Sequence, residues 1–179
     1  MSNLKDLTWS NHQKAERTAH ARKLLKGMSP FDYYRYIYNQ YIMYEALEKQ
    51  AQGWGVLAGI EGIKRAELIK EDLKELEEEY NIERSIDLLC PVVDEYVSYI
   101  TTLTDYNKIL AHIYVRHFGD MYGGQMISKR NPGSGKMYKF DDADEIKERV
   151  RMRLKDEMAV EANRCFEFAM QLFEELESE

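Results

Sequence analysis

The sequence predicts an all-α fold: one multi-helix bundle over residues 1–179, with a long glycine-bearing helix that kinks. Three observations predict it. The chain holds only 3 prolines, too few for a turn-rich β protein. Apolar and aromatic residues recur at three- and four-residue spacing, as in Tyr34, Ile37, Tyr38, Tyr41, Tyr44 and Leu47. No segment alternates apolar and polar residues as a half-buried strand does.

The elements follow in order. The stretch from Leu4 to about Leu25 reads as one or two helices. Ser29-Pro30-Phe31-Asp32 starts a long aromatic helix, with a serine cap, proline at the first helical position and an acid in the first turn. Gly53, Gly55, Gly59 and Gly62 break its periodicity and mark a connection. Ala66 to Tyr80 is a charged helix whose apolar stripe is Leu68, Leu73 and Leu76. Pro91 opens a helix to about Leu103, and another runs from about Tyr106 to Arg130. Asn131-Pro132-Gly133-Ser134-Gly135 is a loop. Asp142 and Glu145 have capping-box spacing, and the chain beyond them is helical with a break near Met158.

Composition narrows the function. Asp plus Glu number 32 against 25 Lys plus Arg, a net charge of −7, so a general affinity for nucleic acid is not expected. No apolar run reaches the about 20 residues that span a bilayer, and the start of the chain lacks a signal core. Cys90 and Cys165 are far apart in apolar surroundings, which fits buried thiols of a reducing compartment. The expectation is a cytoplasmic, monomeric protein without a membrane anchor. Phosphate-loop, CxxC, HExxH and GxSxG motifs are absent from the sequence, as are the paired Glu-x-x-His motifs of a di-iron bundle.

Three groups of residues remain as candidates. On a helix, Lys5, His12 and Glu16 share one face. A neutral histidine whose second nitrogen is held by an acceptor is a good iron ligand, and Glu16 could be that acceptor; a surface histidine on a charged helix reads equally from the spacing. Five of the ten glycines fall between Gly119 and Gly135. Glycine inside a helix costs about 1 kcal/mol relative to alanine, so Gly119, Gly123 and Gly124 need a reason. A flat ligand against bare backbone is one reason; close helix packing or a loop between two helices are others. Arg116 and Asp120, four apart, can pair along the helix, either buried or as a solvated surface pair. Lys147 and Arg151 could meet a dianionic ligand or form part of a solvated charged face with Arg149 and Arg153. The tyrosine stripe is core, with hydroxyls reaching the edge.

These segments resemble the haem oxygenase family. Leu4-Lys5-x-x-Thr8-x-x-x-His12-x-x-Ala15-Glu16 looks like its proximal helix, and Gln40-Tyr41-Ile42-Met43-Tyr44-Glu45-Ala46-Leu47-Glu48 like its next long helix. Tyr114-Val115-Arg116-His117-Phe118-Gly119-Asp120-Met121-Tyr122-Gly123-Gly124-Gln125 is similar to the distal motif YxRYLGDLSGGQ. Gln171-Leu172-Phe173-Glu174-Glu175-Leu176 looks like the closing helix. The likeness covers most of the chain and is weak between about Gln50 and Asn107.

The resemblance implies the haem-oxygenase bundle with a kinked distal helix. It implies cleavage of haem by O2 and reducing equivalents, such as those of a ferredoxin, to biliverdin of the IXα type, CO and Fe2+. It implies His12 as iron ligand and Glu16 as its partner. Lys5, Tyr114, Lys147 and Arg151 would meet the propionates, and Gly119 and Gly123 would lie over the distal face. Asp120, supported by Arg116 and Tyr44, would hold distal water. The chain departs from the family at His117 (tyrosine), Tyr122 (serine), Ala21 (a bulkier residue) and in a shortened segment between Arg153 and Val160. A haem-binding or haem-delivery protein of the same fold is the alternative.

Overall fold

Ser29 Oγ accepts a hydrogen bond from the amide of Asp32 at 3.2 Å, so the longest aromatic run begins as a helix where the sequence places it. The structure is a computed structural model and describes residues 2–178; the two ends of the expected 1–179 span, residues 1 and 179, lie outside the described residues. Its α-helices are α1 (Leu4–Leu7), α2 (Trp9–Glu16), α3 (Ala19–Lys26), α4 (Pro30–Gly53), α5 (Ala66–Tyr80), α6 (Pro91–Thr102), α7 (Tyr106–Arg130), α8 (Ala143–Arg151) and α9 (Ala159–Glu177). No strand occurs among the described residues.

α4 is apolar or aromatic on nearly every face, which a helix tolerates only when neighbours surround it. It packs on α5, α6 and α7, and α7 in turn packs on α9 and α3. One core cluster gathers Met43, Leu47, Val93, Ile100, Leu110, Ile113 and Leu172; a second gathers Tyr33, Tyr34, Tyr36, Ile37, Tyr44, Leu73 and Tyr138. The stripe of α5 is Ile69, Leu73 and Leu76, while the expected Leu68 is half-buried, one position off the buried face.

The N-terminal stretch divides into three helices rather than one or two. Thr8 Oγ1 bonds back to the Leu4 carbonyl at 2.9 Å, closing α1, and Thr18 caps α3 by accepting from Ala21 N at 3.2 Å. The chain turns at Gly27 with φ +108°, where a Cβ would strike the Arg130 carbonyl. Asn131 completes that junction, donating to the carbonyls of Leu24 and Ile127, both at 2.8 Å, and accepting from Met28 N at 2.9 Å.

One further expectation is corrected. Asp142 caps nothing with its side chain; it stands at φ +56° and turns the chain into α8. α7 passes through Gly119, Gly123 and Gly124 with its helix uninterrupted, so the glycines are not a loop between two shorter helices. The break near Met158 is a 3₁₀ turn between α8 and α9. Both cysteines are buried outside any disulfide.

Candidate functional site

α7 presents three glycines that differ in surroundings. A Cβ built on Gly124 would lie 2.9 Å from both Cβ and Cγ of Tyr138, so this glycine is a packing residue. A Cβ on Gly119 or Gly123 would meet nothing within 4 Å. Those two positions, one turn apart, leave an open strip of bare helix backbone. Tyr138 is delivered to Gly124 from below. Asp72 of α5 accepts from the amides of Lys136 and Met137, each at 2.9 Å, and Arg65 Nη1 donates to the Lys139 carbonyl at 2.8 Å.

Asp120 is 7% exposed, between the two open glycines in sequence and beside α4. The Tyr44 hydroxyl donates to its Oδ2 at 2.6 Å. Burial pushes Asp120 up to about 6; the Tyr44 bond and the positive charges of His117, Arg65 and Arg116 keep it from rising further. The expected Arg116–Asp120 hydrogen bond is replaced by another partnership. Arg116 Nε donates to Tyr96 OH at 3.0 Å, and its guanidinium lies 4.3 Å over the Tyr96 ring. Helix spacing put Arg116 and Asp120 on one face, but the long arginine side chain turns towards α6. It acts on Asp120 as a charge and not as a hydrogen-bond donor.

His117 is fully buried. Its Nδ1 lies 3.0 Å from the Ile113 carbonyl and its Nε2 lies 2.8 Å from Glu48 Oε2, acceptors on both sides, the arrangement of an imidazolium. Glu48 also accepts from the amides of Arg65 at 2.7 Å and Ala66 at 2.9 Å, so one carboxylate joins α4, α7 and the start of α5. Sequence reasoning missed this pair; its only trace is a charged residue in each of two otherwise apolar runs. It missed a second tie as well, in which His112 bonds Tyr96 OH at 2.9 Å and Glu161 Oε2 at 2.8 Å, beside Cys165.

α2 rests on α9, which also packs on α7. The His12 side chain is 38% exposed, with its ring stacked on Trp9 at 5.1 Å and edge-on to Phe166 at 5.9 Å. One ring nitrogen, Nε2, lies 2.7 Å from Glu16 Oε1, which leaves the other nitrogen for a ligand. Lys5 is exposed on α1.

The remaining cations meet at α8. Lys147 Nζ lies 4.6 Å over the Tyr122 ring and 3.3 Å from Asp144. Arg151 donates to the Tyr122 hydroxyl and stacks 5.6 Å over Phe118. Phe118 contacts Tyr114 at 4.9 Å. Burial holds the Tyr114 hydroxyl above its usual range, with Tyr122 adding to the effect and Arg151 opposing it. Tyr114, Lys147 and Arg151 thus come together, with Tyr122 as an unforeseen member between the two cations. Among the described residues no three His, Cys, Asp or Glu side chains converge as a metal cage. No helix among them is long and apolar enough to cross a membrane.

Comparisons with known proteins place the chain in a family. The family model described as "Heme oxygenase" matches residues 1–175. "Heme oxygenase 2" of Macaca fascicularis is 27% identical over 97% of this chain, and the chain spans 64% of that relative's length. "Heme oxygenase 1" of Nostoc is 29% identical over 93% of this chain and 81% of that protein. The crystal structure of heme oxygenase-1 from the cyanobacterium Synechocystis in complex with heme superposes with a TM-score of 0.81 at 22% identity, covering 97% of this chain and 90% of that one. The heme oxygenase of Leptospira interrogans gives 0.78 at 22% identity, covering 95% and 96%. Matched by that family model over residues 1–175, this helical chain belongs to the haem oxygenase family.

Proposed function

We propose that this chain is a single-domain haem oxygenase that cleaves haem to biliverdin, CO and Fe2+. The observation that carries the reading is the open strip at Gly119 and Gly123 beside the buried Asp120–Tyr44 pair. A planar macrocycle needs backbone-close access that a Cβ would block, and the structure leaves that space at two glycines while filling it at the third. The residues therefore fit the group.

Haem, when bound, supplies the iron that activates O2 and is also the ring that is opened. The protein's task is orientation, exclusion of bulk water and control of protons. His12 would hold the iron through the nitrogen that Glu16 leaves free, with Glu16 fixing the other nitrogen and orienting the imidazole. Lys147 and Arg151, which now meet Tyr122, would hold the two propionates, with Lys5 and Tyr114 as further contacts, and so would orient the haem. That orientation would decide which bridge is cut, the α bridge on the present reading. Asp120 holds a proton-bearing water over the distal face through a carboxyl that titrates close to neutral pH. Tyr44 and the charges of Arg116 and His117 keep that carboxyl in place and ionisable. A cytoplasmic monomer served by a ferredoxin completes the reading.

The test is to mix the protein with hemin, a ferredoxin system or ascorbate, and O2. Biliverdin and CO in equal amounts support the reading. A haem complex that persists through reduction and aeration would make the protein a haem carrier and overturn it.

A further inference from the structure

Four side-chain polar atoms among the described residues are buried without a hydrogen-bond partner: His20 Nε2, Gln40 Oε1, Arg116 Nη2 and Tyr138 OH. Buried polar atoms rarely stay unpaired, because each costs its hydration and regains nothing. These four are not scattered. Tyr36 adjoins two of them directly, Gln40 and His20. Gln40 Nε2 donates to the Tyr36 hydroxyl at 2.9 Å, and the His20 ring lies 5.1 Å from the Tyr36 ring. The hydroxyl of Tyr138 lies beside that of Tyr36, and the charges of Asp120 and Arg116 act on Tyr36 from the distal side.

The array has an outer end. His20 Nδ1 lies 3.2 Å from Glu177 Oε2, and Glu177 pairs with Lys23, whose side chain is 61% exposed. His20 stacks on Phe173 at 5.0 Å, and burial is the chief cause lowering its affinity for a proton. With its hydrogen on Nδ1, His20 donates to Glu177; with its hydrogen on Nε2, it offers Nδ1 as an acceptor to Glu177 and a buried donor at Nε2. Polar side chains thus run from the surface at Lys23 and Glu177, through His20, to Tyr36, Gln40 and Tyr138, and on to Asp120 and Arg116.

We propose that this array holds buried water and is a proton route to Asp120, entering at Glu177 and His20. It rests on the haem oxygenase reading and adds to it a named path for the protons that ring opening consumes. Each transfer conserves charge. With His20 in its Nε2–H tautomer, Glu177 takes a proton from solvent and passes it to Nδ1 while Nε2 releases its own proton to water, and tautomer exchange resets the ring. The water passes one on through the Tyr36 hydroxyl, and the last arrives on the Asp120 carboxylate. No electron moves, and solvent is the proton source. His20, Tyr36 and Gln40 are positioning residues here, because they act on the reaction through Asp120.

Two measurements test the route. In the haem-free protein, magnetisation transfer between water and the side chains of Tyr36, Gln40 and Tyr138 should be detectable by NMR at long-lived, buried-water rates. Its absence would show a dry array and overturn the proposal whatever the enzyme does. In the haem-loaded protein, His20→Phe and Gln40→Leu should slow biliverdin formation roughly tenfold. The solvent deuterium isotope effect should grow, and hemin affinity should stay within about twofold of the original. Tyr36→Phe should behave the same way, and His20→Gln should not restore the rate, since an amide does not relay protons. Unchanged rates and isotope effects in these variants would sink the route while leaving the haem oxygenase reading intact. Absence of biliverdin in the unsubstituted protein would sink that reading and the route together.

Discussion

Gly123→Ala should strengthen the haem-free protein and weaken its hold on haem. Gly123 sits inside α7, and a Cβ there meets nothing within 4 Å. Alanine at an unobstructed helix-interior glycine gains about 0.5–1 kcal/mol through backbone entropy. For a chain of this length that gain raises Tm by about 1–4 °C. If the macrocycle lies on this strip as proposed, a methyl group there must be accommodated by moving the ring or the helix. Overpacking of this kind costs about 1–3 kcal/mol, which weakens binding by about 5- to 150-fold. Gly124→Ala is the control, because its Cβ would fall 2.9 Å from Tyr138 Cβ and Cγ, well away from the open strip. That variant should lose stability in the haem-free form. Thermal unfolding and hemin titration followed at the Soret band measure both quantities. If Gly123→Ala binds hemin as tightly as the unsubstituted protein, the open strip is not where haem lies.

Asp120→Asn should bind hemin but form little biliverdin, read by the Soret band and by product chromatography; full turnover would remove Asp120 from the proton step. The same variant carries a pH signature. The Asp120 carboxyl is raised from 3.8 to about 6 on folding, so its contribution to stability is complete below pH 4 and is lost as pH rises through 6. Asparagine should therefore make the haem-free protein more stable at pH 7 than the native residue does, by up to about 3 kcal/mol from the size of that shift. Denaturant titrations at pH 4 and pH 7 test the sign. Glu48→Ala strips His117 of its counter-charge and the start of α5 of two acceptors, and should cost at least about 3 kcal/mol by denaturant unfolding. His12→Ala should alter the Soret spectrum of the ferric complex, and an unaltered spectrum would take His12 off the iron.

Helix boundaries were legible because local chemistry sets them. Ser29 with Pro30 starts α4, Pro91 starts α6, and the glycines after Gly53 end a run that packing alone would have continued. The distal strip was legible as a cost, three helix-interior glycines needing a reason, but not its division of labour. That depends on Tyr138, which reaches Gly124 from a 3₁₀ turn held by Asp72 and Arg65 across the fold. Spacing likewise put Arg116 next to Asp120 and could not foresee Tyr96 as the stronger claim on its guanidinium. Asp142 has the residue type and spacing of a cap, yet its backbone sits at φ +56°, so its side chain cannot reach back to the first amides. The His117–Glu48 pair and the orphaned atoms around Tyr36 arise only when α4, α5 and α7 meet, and no periodicity within one helix encodes them.

The most direct measurement is the structure of the hemin complex, by crystallography or from hyperfine-shifted NMR signals. The account predicts the His12 imidazole on the iron, with the backbone of Gly119 and Gly123 against the opposite face of the ring. Iron bound by another residue, or a ring lying away from those two glycines, would contradict it.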